Sequence, residues 1–491
     1  MKNIIMFQPD LGYMDSMRTS PSLPLALLSA SALVSKYYKV NIVDQRITPH
    51  WKGILEKRIN KDTVCAGVTA LTGRMIKEAV EFSRFVKNRY GIPVVWGGVH
   101  ASILPYQTAG SEFVDFVVAG EGEITFYELV KALDEGRPAE SVRGLFYKKD
   151  GSVIQTLVRP FAELDELPAV PYHLVDIKKY LPKYKGRRSI FFQTSRGCPW
   201  GCTYCYNTVY NKRCWRSMSA GVTLSRIRSL VSAYPDIEDI YFVDDNFFID
   251  VKRLKKIIRG LTELDLTWQV QGVDIMSLKC IDDEVFGLLQ ESNCIRLTIG
   301  IESGSQRIRE FMHKKGNIDD ILKVMDRLSR FDFVVLCSFL VGIPGETRYD
   351  LKKTVDLILK LKKINSKFRN QPIYVYTPYP GTDMYKHALK HGFVGPVTLE
   401  DWSAYEWDNT KFPHYRKIYE SIHFVSLFTD KKINEYTVPF LIRLFANLYR
   451  PFALYRLKNL YFGFMLEKKL FELVKNAWLA GRLYYDENTS C

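Results

Sequence analysis

The sequence lacks long apolar runs, a disulfide-type use of cysteine and a recognisable leader. No apolar stretch reaches about 18 residues without a charge, so we expect no transmembrane helix. The N-terminus, MKNIIMFQPD, has one Lys and a very short apolar run, which predicts a first β-strand instead of a signal peptide. Nine cysteines in 491 residues are an odd number for a disulfide framework. These absences predict a protein of the reducing cytoplasm.

Acidic residues are scarce relative to basic ones. The chain has 54 Asp and Glu against 69 Lys and Arg, a formal net charge of +15. This charge favours an anionic partner and leaves open a nucleic acid, an anionic membrane surface or an anionic substrate. Charge alone does not choose between them.

The basic excess extends into a C-terminal segment rich in Leu, Phe and Tyr. Between residues 441 and 480 there are seven Lys or Arg and two Glu. Such a segment forms either an amphipathic helix that lies on an anionic membrane or a helical cap that packs on the rest of the protein. The first alternative predicts a peripheral membrane contact and favours a lipid-like substrate.

Apolar strands and helices alternate along most of the chain, which predicts an α/β fold with four segments. Residues 1–140 predict a doubly wound Rossmann-like domain, and residues 141–186 predict a β-hairpin followed by a Pro-punctuated linker. Residues 187–395 contain six further β/α units, which predict a partial (β/α)6 barrel of the TIM type. Residues 396–491 predict a mainly helical C-terminal cap.

Four loops that follow strands of the predicted N-terminal sheet carry Gly or small hydroxyl residues. They read QPDLGY, TALTG, GGVHAS and AGEGE. Parallel sheets bind ligands at the carboxyl ends of their strands, and glycine lets a backbone approach a ligand closely. A single Gly after a strand commonly makes only a turn, but four such loops on one edge predict a binding crevice.

The segment RGCPWGCTYC places Cys198, Cys202 and Cys205 at a C-x3-C-x2-C spacing directly after an apolar strand. Structural zinc needs four ligands, and no second C-x2-C or paired His accompanies these three. A thioredoxin-like redox pair would use only two of the thiols. Iron–sulfur clusters use thiolates in short runs, and three thiolates on a four-iron cluster leave one iron open to another ligand. The spacing therefore favours an iron–sulfur cluster over zinc or a redox pair.

This segment resembles the signature of the radical S-adenosylmethionine enzymes. The resemblance implies that the three cysteines hold a [4Fe-4S] cluster whose open iron binds S-adenosylmethionine. The segments FVDDNF, GIESGSQRI and VGIPGET resemble family motifs after the second, fourth and fifth barrel strands. One departure is WQVQGVD, with Gln269 and Gln271 where relatives often have Arg. The implied contacts of S-adenosylmethionine are Tyr204, Asp244, Asp245, Asn246, Gln271 and Glu302.

A doubly wound sheet before such a barrel resembles the cobalamin-binding subclass of this family. The chain lacks the D-x-H-x-x-G motif of cobalamin mutases, because the HWKG segment at His50 has no Asp two residues earlier. The resemblance therefore implies cobalamin without a histidine ligand on cobalt. The implied cobalamin contacts are Gln8, Thr69, Leu71, Thr72, Gly97, Gly98, Val99, His100, Gly120, Glu121 and Gly122.

The resemblance implies methylation of an unactivated carbon, with methylcobalamin as the methyl donor and a 5′-deoxyadenosyl radical that abstracts a substrate hydrogen. A cobalamin-dependent cyclase, oxidoreductase or rearrangement enzyme is the alternative, and a non-catalytic carrier of the cofactors is another. A tRNA methylthiotransferase is disfavoured, because that class has extra cysteines in its N-terminal domain, where this chain has only Cys65.

The expected partners follow from the same resemblance. They are a small-molecule or lipid-like substrate and an electron donor such as a flavodoxin or ferredoxin, and a nucleic acid is not expected. The sequence identifies no catalytic acid or base.

Overall fold

The structure is a computed structural model that describes residues 1–12, 20–405, 416–429, 440–471 and 473. Two sheets dominate it, one of seven strands and one of eight. The predicted α/β class, with a Rossmann-like domain, a partial barrel and a helical region after it, is confirmed. Across the described residues, no helix combines the length and the apolar character needed to cross a bilayer.

Seven strands form the N-terminal sheet: β1 (Asn3–Gln8), β2 (Lys39–Asp44), β3 (Thr63–Thr69), β4 (Val94–Gly97), β5 (Phe116–Val118), β6 (Leu145–Lys149) and β7 (Ser152–Gln155). Their spatial order is β2-β1-β3-β4-β5-β6-β7. The first five are parallel, whereas β6 and β7 are antiparallel.

Six helices accompany this sheet: α1 (Leu25–Val34), α2 (Trp51–Arg58), α3 (Arg74–Tyr90), α4 (Val99–Ile103), α5 (Pro105–Gly110) and α6 (Gly122–Asp134). Alternate residues of β1 enter two different apolar cores. Ile5 and Phe7 pack with residues of α2 and α3, whereas Ile4 and Met6 pack with residues of α1 and α6. A sheet covered on both faces explains why its strands are continuous apolar runs.

The predicted hairpin is formed by β6 and β7. It turns at Asp150 and Gly151, whose φ angles are 50° and 76°. Positive φ at both turn residues matches the right-handed twist of the paired strands. Because β6 also pairs with β5, the hairpin extends the N-terminal sheet. The boundaries of the four sequence segments stay predictions.

The second sheet contains β8 (Lys183–Tyr184), β9 (Arg187–Phe192), β12 (Asp239–Phe242), β13 (Thr267–Val273), β14 (Cys294–Glu302), β15 (Val334–Val341), β16 (Phe368–Asn370) and β17 (Tyr374–Val375), and a separate antiparallel ribbon contains β10 (Ser195–Arg196) and β11 (Arg216–Ser217). The order is β16-β15-β14-β13-β12-β9-β8, and β17 also pairs with β15. All pairs except β8 with β9 are parallel. The sequence does not predict β8 and β16, because two or three residues show no periodicity.

The helices of the barrel are α7 (Ala220–Ala233), α8 (Val251–Leu261), α9 (Ile275–Cys280), α10 (Asp283–Glu291), α11 (Gln306–Phe311), α12 (Ile318–Leu328), α13 (Arg348–Ile364) and α14 (Asp383–Lys390). In α8, Asp250 caps the N-terminus by accepting a hydrogen bond from the Arg253 amide. Buried apolar residues then recur every three or four positions, so that one face of the helix meets the sheet. These residues are Leu254, Ile257, Ile258 and Leu261.

Two helices, α15 (Arg416–Ser426) and α16 (Phe440–Asn459), follow the barrel. Short 3-10 turns lie at Ala139–Ser141, Tyr172–Leu174, Ile177–Tyr180, Tyr206–Thr208 and Glu400–Ala404. The helical character predicted for the C-terminal region is confirmed where the chain is described. For residues 406–415, 430–439, 472 and 474–491, which lie outside the described residues, it stays a prediction.

Candidate active site

The carboxyl ends of the two sheets face each other across a cavity of about 260 Å³. One wall comes from strand ends and helices of the N-terminal sheet. The other wall comes from segments that follow β9 and β12 of the barrel. Parallel sheets bind ligands at such strand ends. The predicted contact residues that line this cavity are Thr69, Gly97, Gly98, Val99, Gly120, Glu121, Gly122 and Asp245.

Four predicted cobalamin contacts are not part of this lining. Gln8 is buried and donates a hydrogen bond to the Pro9 carbonyl at 2.9 Å. His100 is fully buried, and its Nδ1 lies 3.0 Å from the Thr72 hydroxyl. Burial lowers the pKa of His100 to about 4, so its ring is neutral at physiological pH. Leu71 is 45% exposed beside them. The contacts predicted for these four residues stay predictions.

The three cysteines lie on one loop between β10 and β11. Gly197 opens this loop with a φ of 83°. A Cβ at that position would lie 1.9 Å from the Cys214 carbonyl oxygen, so only glycine fits there. The Thr203 amide donates to the Met312 carbonyl at 3.0 Å, which ties the middle of the loop to the barrel.

The cysteine thiols are held in a desolvated environment. Burial raises the pKa of Cys198, and it raises the pKa of Cys205 to about 12. Cys202 is close enough to both thiols to raise their pKa values further. Thiols in such surroundings ionise when a metal ligates them. The loop therefore suits a metal cluster better than a free thiolate nucleophile.

The segment after β12 braces the cysteine loop. Asp244 is 1% exposed and accepts hydrogen bonds from the amide and the hydroxyl of Thr194 at 3.0 and 2.8 Å. Burial raises the pKa of Asp244 to about 6. Asp245 accepts from the Gly197 amide at 2.8 Å and from the Tyr206 hydroxyl at 2.5 Å. Both carboxyl groups thus orient the loop, and their predicted contact with S-adenosylmethionine stays a prediction.

Two further predicted contacts of S-adenosylmethionine, Asn246 and Gln271, differ in burial. The Nδ2 atom of Asn246 donates to Asp274 Oδ2 at 2.7 Å and lies 3.7 Å from Cys198 Sγ. An N–H directed at a ligand sulfur stabilises the thiolate form. Gln271 is exposed at the strand end and accepts a hydrogen bond from the Tyr241 hydroxyl at 3.0 Å.

Glu302 ends β14 with a φ of 72°, which is rare for a residue other than glycine. Burial and the Glu302 carboxylate raise the pKa of Tyr204 well above its ordinary value. Lys314 Nζ lies 3.7 Å from Glu302 Oε1. Although burial lowers the pKa of Lys314, Cys202 and Glu302 outweigh this effect and raise it. No sequence pattern indicates Lys314, because the HKKG segment has the composition of a solvated turn.

A network of ion pairs joins the two sheets at the cavity wall. Arg196 Nη1 lies 3.2 Å from Glu121 Oε1, and its Nη2 lies 2.5 Å from Glu123 Oε1. Arg216 Nη2 lies 2.5 Å from Glu121 Oε1. Burial raises the pKa of Glu121, but the two arginines outweigh it and hold that pKa below its ordinary value. The sequence predicts Glu121 as a cobalamin contact but gives no signal for its two partners.

The substitution Arg196→Met should destabilise the contact between the sheets. It leaves Glu121 and Glu123 buried with one cation fewer, and breaking a buried pair costs about 3–5 kcal/mol. Thermal unfolding checks the stability loss. As a control, Arg228→Met removes an exposed pair with Glu263 and should cost less than about 1 kcal/mol. Equal losses of stability in the two variants would contradict the role assigned to Arg196.

Glu346, in the VGIPGET segment after β15, should make stability depend on pH. Its Oε2 accepts from the Gly342 amide at 2.6 Å, and burial raises the pKa of Glu346 to about 8. The folded state therefore keeps a proton that the unfolded state loses, so stability falls as the pH rises from about 4.5 to about 8.

The substitution Glu346→Gln removes this titration. The stability of the variant relative to the wild type should improve across that pH range, by on the order of 5 kcal/mol in total. Thermal midpoints of both proteins, measured at a series of pH values, check the prediction. A difference between the proteins that does not change with pH would contradict it.

Comparison with known proteins agrees with this site. Residues 192–358 match the Radical SAM superfamily, and residues 19–130 match the B12 binding domain. A protein of Pyrococcus horikoshii named as an uncharacterized methyltransferase is 31% identical over 393 residues, which span 79% of this chain and 82% of that protein. The chain belongs to the cobalamin-binding radical S-adenosylmethionine enzymes.

Three further proteins are similar at lower sequence identity. The cytidylyl-2-hydroxyethylphosphonate methyltransferase of Streptomyces wedmorensis is 25% identical over 337 residues, and the match spans 61% of each chain, less than two thirds of that protein. The fold is similar to that of the methyltransferase TsrM from Kitasatospora setae, with a TM-score of 0.66, 18% identity and coverage of 81% of this chain and 76% of that one. It is also similar to that of OxsB, with a TM-score of 0.71, 16% identity and coverage of 99% and 75%.

As a member of this family, the protein uses a [4Fe-4S] cluster, S-adenosylmethionine and cobalamin. The cysteine loop fits the cluster. Within the described ranges, no three His, Cys, Asp or Glu side chains converge on one metal ion. The thiolates of a four-iron cluster bind three different irons, so they stand farther apart than ligands of a single ion.

The N-terminal wall of the cavity suits a cofactor because its glycines bring backbone to the surface. A Cβ at Gly98 would lie 2.7 Å from Thr69 Oγ1, and a Cβ at Gly67 would lie 2.8 Å from Met6 Sδ. In the barrel, outside this lining, a Cβ at Gly300 would lie 2.6 Å from Glu302 Oε1. Larger residues at these positions would collide with those neighbouring atoms, so glycine permits the close packing of the strand ends.

Proposed function

We propose that this enzyme transfers a methyl group to an unactivated carbon of a small or lipid-like molecule. The observation that carries the proposal is the cavity bounded by the strand ends of both sheets. Radical formation needs the cysteine loop, and cobalamin binding needs the N-terminal loops. A shared cavity lets one substrate meet both.

The cluster, when bound, supplies the electron that cleaves S-adenosylmethionine, and cobalamin supplies the methyl group. The protein binds and orients them. We propose that Cys198, Cys202 and Cys205 hold the cluster. Asn246, whose amide lies 3.7 Å from the Cys198 sulfur, keeps that ligand in its thiolate form.

Lys314 and Glu302 are the residues that we propose for the methionine part of S-adenosylmethionine. They place one cation and one anion beside Cys202, with 3.7 Å between Nζ and Oε1. The methionine part carries one charge of each sign, so the pair complements it. Tyr204 lies against Glu302 and limits its access to water.

The N-terminal loops would hold the cobalamin. Gly98 and Gly120 have φ angles of 91° and 83°, so their loops bring backbone to the cavity wall without side chains. Ala30 of α1 and Gly122 of α6 line a narrow part of the same cavity. We propose that the nucleotide tail of the cofactor would lie in this cavity, against the strand ends of the N-terminal sheet and beside these two helices.

Isotope transfer tests this function. The protein is reconstituted anaerobically with iron, sulfide and hydroxocobalamin and given S-adenosylmethionine that carries a CD3 group, together with a reductant. We expect 5′-deoxyadenosine and a CD3 group on the protein-bound corrin, both detected by mass spectrometry. 5′-Deoxyadenosine without methyl transfer to the corrin would favour a cyclase, an oxidoreductase or a rearrangement enzyme. Uncleaved S-adenosylmethionine with an intact cluster would indicate a carrier.

An electron donor and a cellular location complete the proposal. A one-electron donor such as a flavodoxin or ferredoxin would reduce the cluster. A cytoplasmic location with a peripheral membrane contact through the basic C-terminal region would give access to a lipid-like substrate.

A further inference from the structure

Helix α16 (Phe440–Asn459) has two apolar faces. The inner face is buried against the barrel and α15, and it consists of Ala446, Tyr449, Ala453 and Leu457. The outer face is exposed to between 43% and 74%, and it consists of Phe440, Leu444, Leu448, Phe452 and Tyr455. Soluble proteins rarely expose a contiguous apolar stripe without a partner for it. Among the described residues, packing therefore accounts for only one of the two faces.

The segment after α16 extends this outer face. Phe464 is 87% exposed, and its φ of 49° is unfavourable for a bulky residue. Arg456 fixes this conformation, because its guanidinium donates to the carbonyls of Tyr461, Gly463 and Phe464 at 3.3, 2.9 and 3.1 Å. A partly buried cation thus holds an aromatic ring in solvent, which is a costly arrangement unless the ring has a partner.

The charge around the outer face is mainly positive. Residues 440–471 contain six Lys or Arg and a single acid, Glu467, which pairs with Arg456 at 2.8 Å. At the end of α16, a shallow cleft is lined by Arg348, Tyr349, Lys352, Lys458, Asn459 and Leu460. The Lys352 side chain also pairs with Asp356 within α13. The cleft places three cations beside exposed aromatic residues.

We propose that the outer face of α16, Phe464 and this basic cleft form a docking surface for an anionic phospholipid bilayer. The inference extends the peripheral membrane contact proposed above. The helix lies in the plane of the membrane, with its apolar stripe and Phe464 among the acyl chains. The cleft binds a lipid phosphate, because three cations complement an anionic headgroup.

A bilayer fits this surface better than a second copy of the chain. In a twofold contact the same patch meets itself, so basic side chains would face basic side chains. An anionic bilayer instead offers negative charge at the rim and apolar chains beneath it. Exposed aromatic residues beside cations are characteristic of the membrane interface.

Vesicle flotation of the full-length protein tests the proposal. We expect co-flotation with phosphatidylcholine vesicles that contain about 30% phosphatidylglycerol and at least about tenfold weaker binding to phosphatidylcholine alone. The double variant Leu448→Asp, Phe452→Asp should lose binding to the anionic vesicles. The matched control Val394→Asp, Val397→Asp changes two exposed apolar residues elsewhere and should bind as the wild type does.

Two charge-reversal variants distinguish binding by the cleft from nonspecific attraction of a basic protein to anionic lipid. Lys352→Glu with Lys458→Glu should weaken vesicle binding at least about tenfold, whereas Lys57→Glu with Lys61→Glu should not. Equal effects of the two pairs, or equal binding to both kinds of vesicle, would overturn the proposal. The second measurement is sedimentation velocity without lipid. If the wild type is a dimer and the variant Leu448→Asp, Phe452→Asp is a monomer, the outer face binds a second copy of the chain and not a bilayer. None of these readouts depends on methyl transfer, so their failure is distinct from failure of the proposed reaction.

Discussion

Each of the variants Cys198→Ala, Cys202→Ala and Cys205→Ala is expected to lose the [4Fe-4S] cluster. The C-x3-C-x2-C segment supplies only three thiolates, and the fourth cysteine between β10 and β11, Cys214, presents its carbonyl to Gly197. Reductive cleavage of S-adenosylmethionine should fall at least about 1000-fold, because the electron has no path to the sulfonium. Iron and sulfide content, the visible spectrum and the yield of 5′-deoxyadenosine measure the effect.

Cys214→Ala is the matched control. In the wild type, the carbonyl of Cys214, not its thiol, lies against Gly197. The exposed Cys280 gives a second control through Cys280→Ala. Both variants should keep a full cluster. A variant of Cys198, Cys202 or Cys205 that retained the cluster and formed 5′-deoxyadenosine would remove that cysteine from the ligand set.

Ala30→Trp is expected to abolish cobalamin binding and to leave the cluster in place. Ala30 lines the cavity on α1, and a Cβ at Gly122 of the facing helix would lie only 3.5 Å from its Cβ. An indole would fill the space proposed for the nucleotide tail, so cobalamin affinity should fall at least about 100-fold. Corrin retained after gel filtration and the iron content measure the two effects separately.

Ser35→Trp adds the same ring at the end of the same helix, outside the cavity lining. It should retain corrin as the wild type does. If Ala30→Trp retained corrin as well, the cofactor would have to bind elsewhere. Loss of the cluster and the corrin together in Ala30→Trp would indicate misfolding of the domain contact.

Much of the fold is predictable because its signals are local. Continuous apolar strands and intervening helices indicate two covered parallel sheets, and all six predicted barrel strands are present. The spacing of Cys198, Cys202 and Cys205 within eight residues needs no tertiary information. The strand-end loops around Gly98 and Gly120 also follow from position in the chain, since parallel strands end at one edge.

The remaining features depend on contacts between distant parts of the chain. Arg196 meets Glu121 only because two domains pack together, and nothing in either segment indicates the partner. Lys314 joins Glu302 through the fold of a loop that has an ordinary polar composition. Asp244 has a structural role that the sequence does not indicate. Its ligand contact stays a prediction, and its carboxylate accepts hydrogen bonds from Thr194, directly before the cysteine loop.

The central claim is that the cluster and cobalamin occupy one cavity between the two sheets. Electron paramagnetic resonance of protein loaded with both cofactors tests it, with cobalt as cob(II)alamin and the cluster first oxidised and then reduced. A shared cavity predicts that the spin relaxation of cob(II)alamin becomes faster once the cluster is reduced and paramagnetic. A cobalt signal that is unchanged by reduction of an intact cluster would contradict the account.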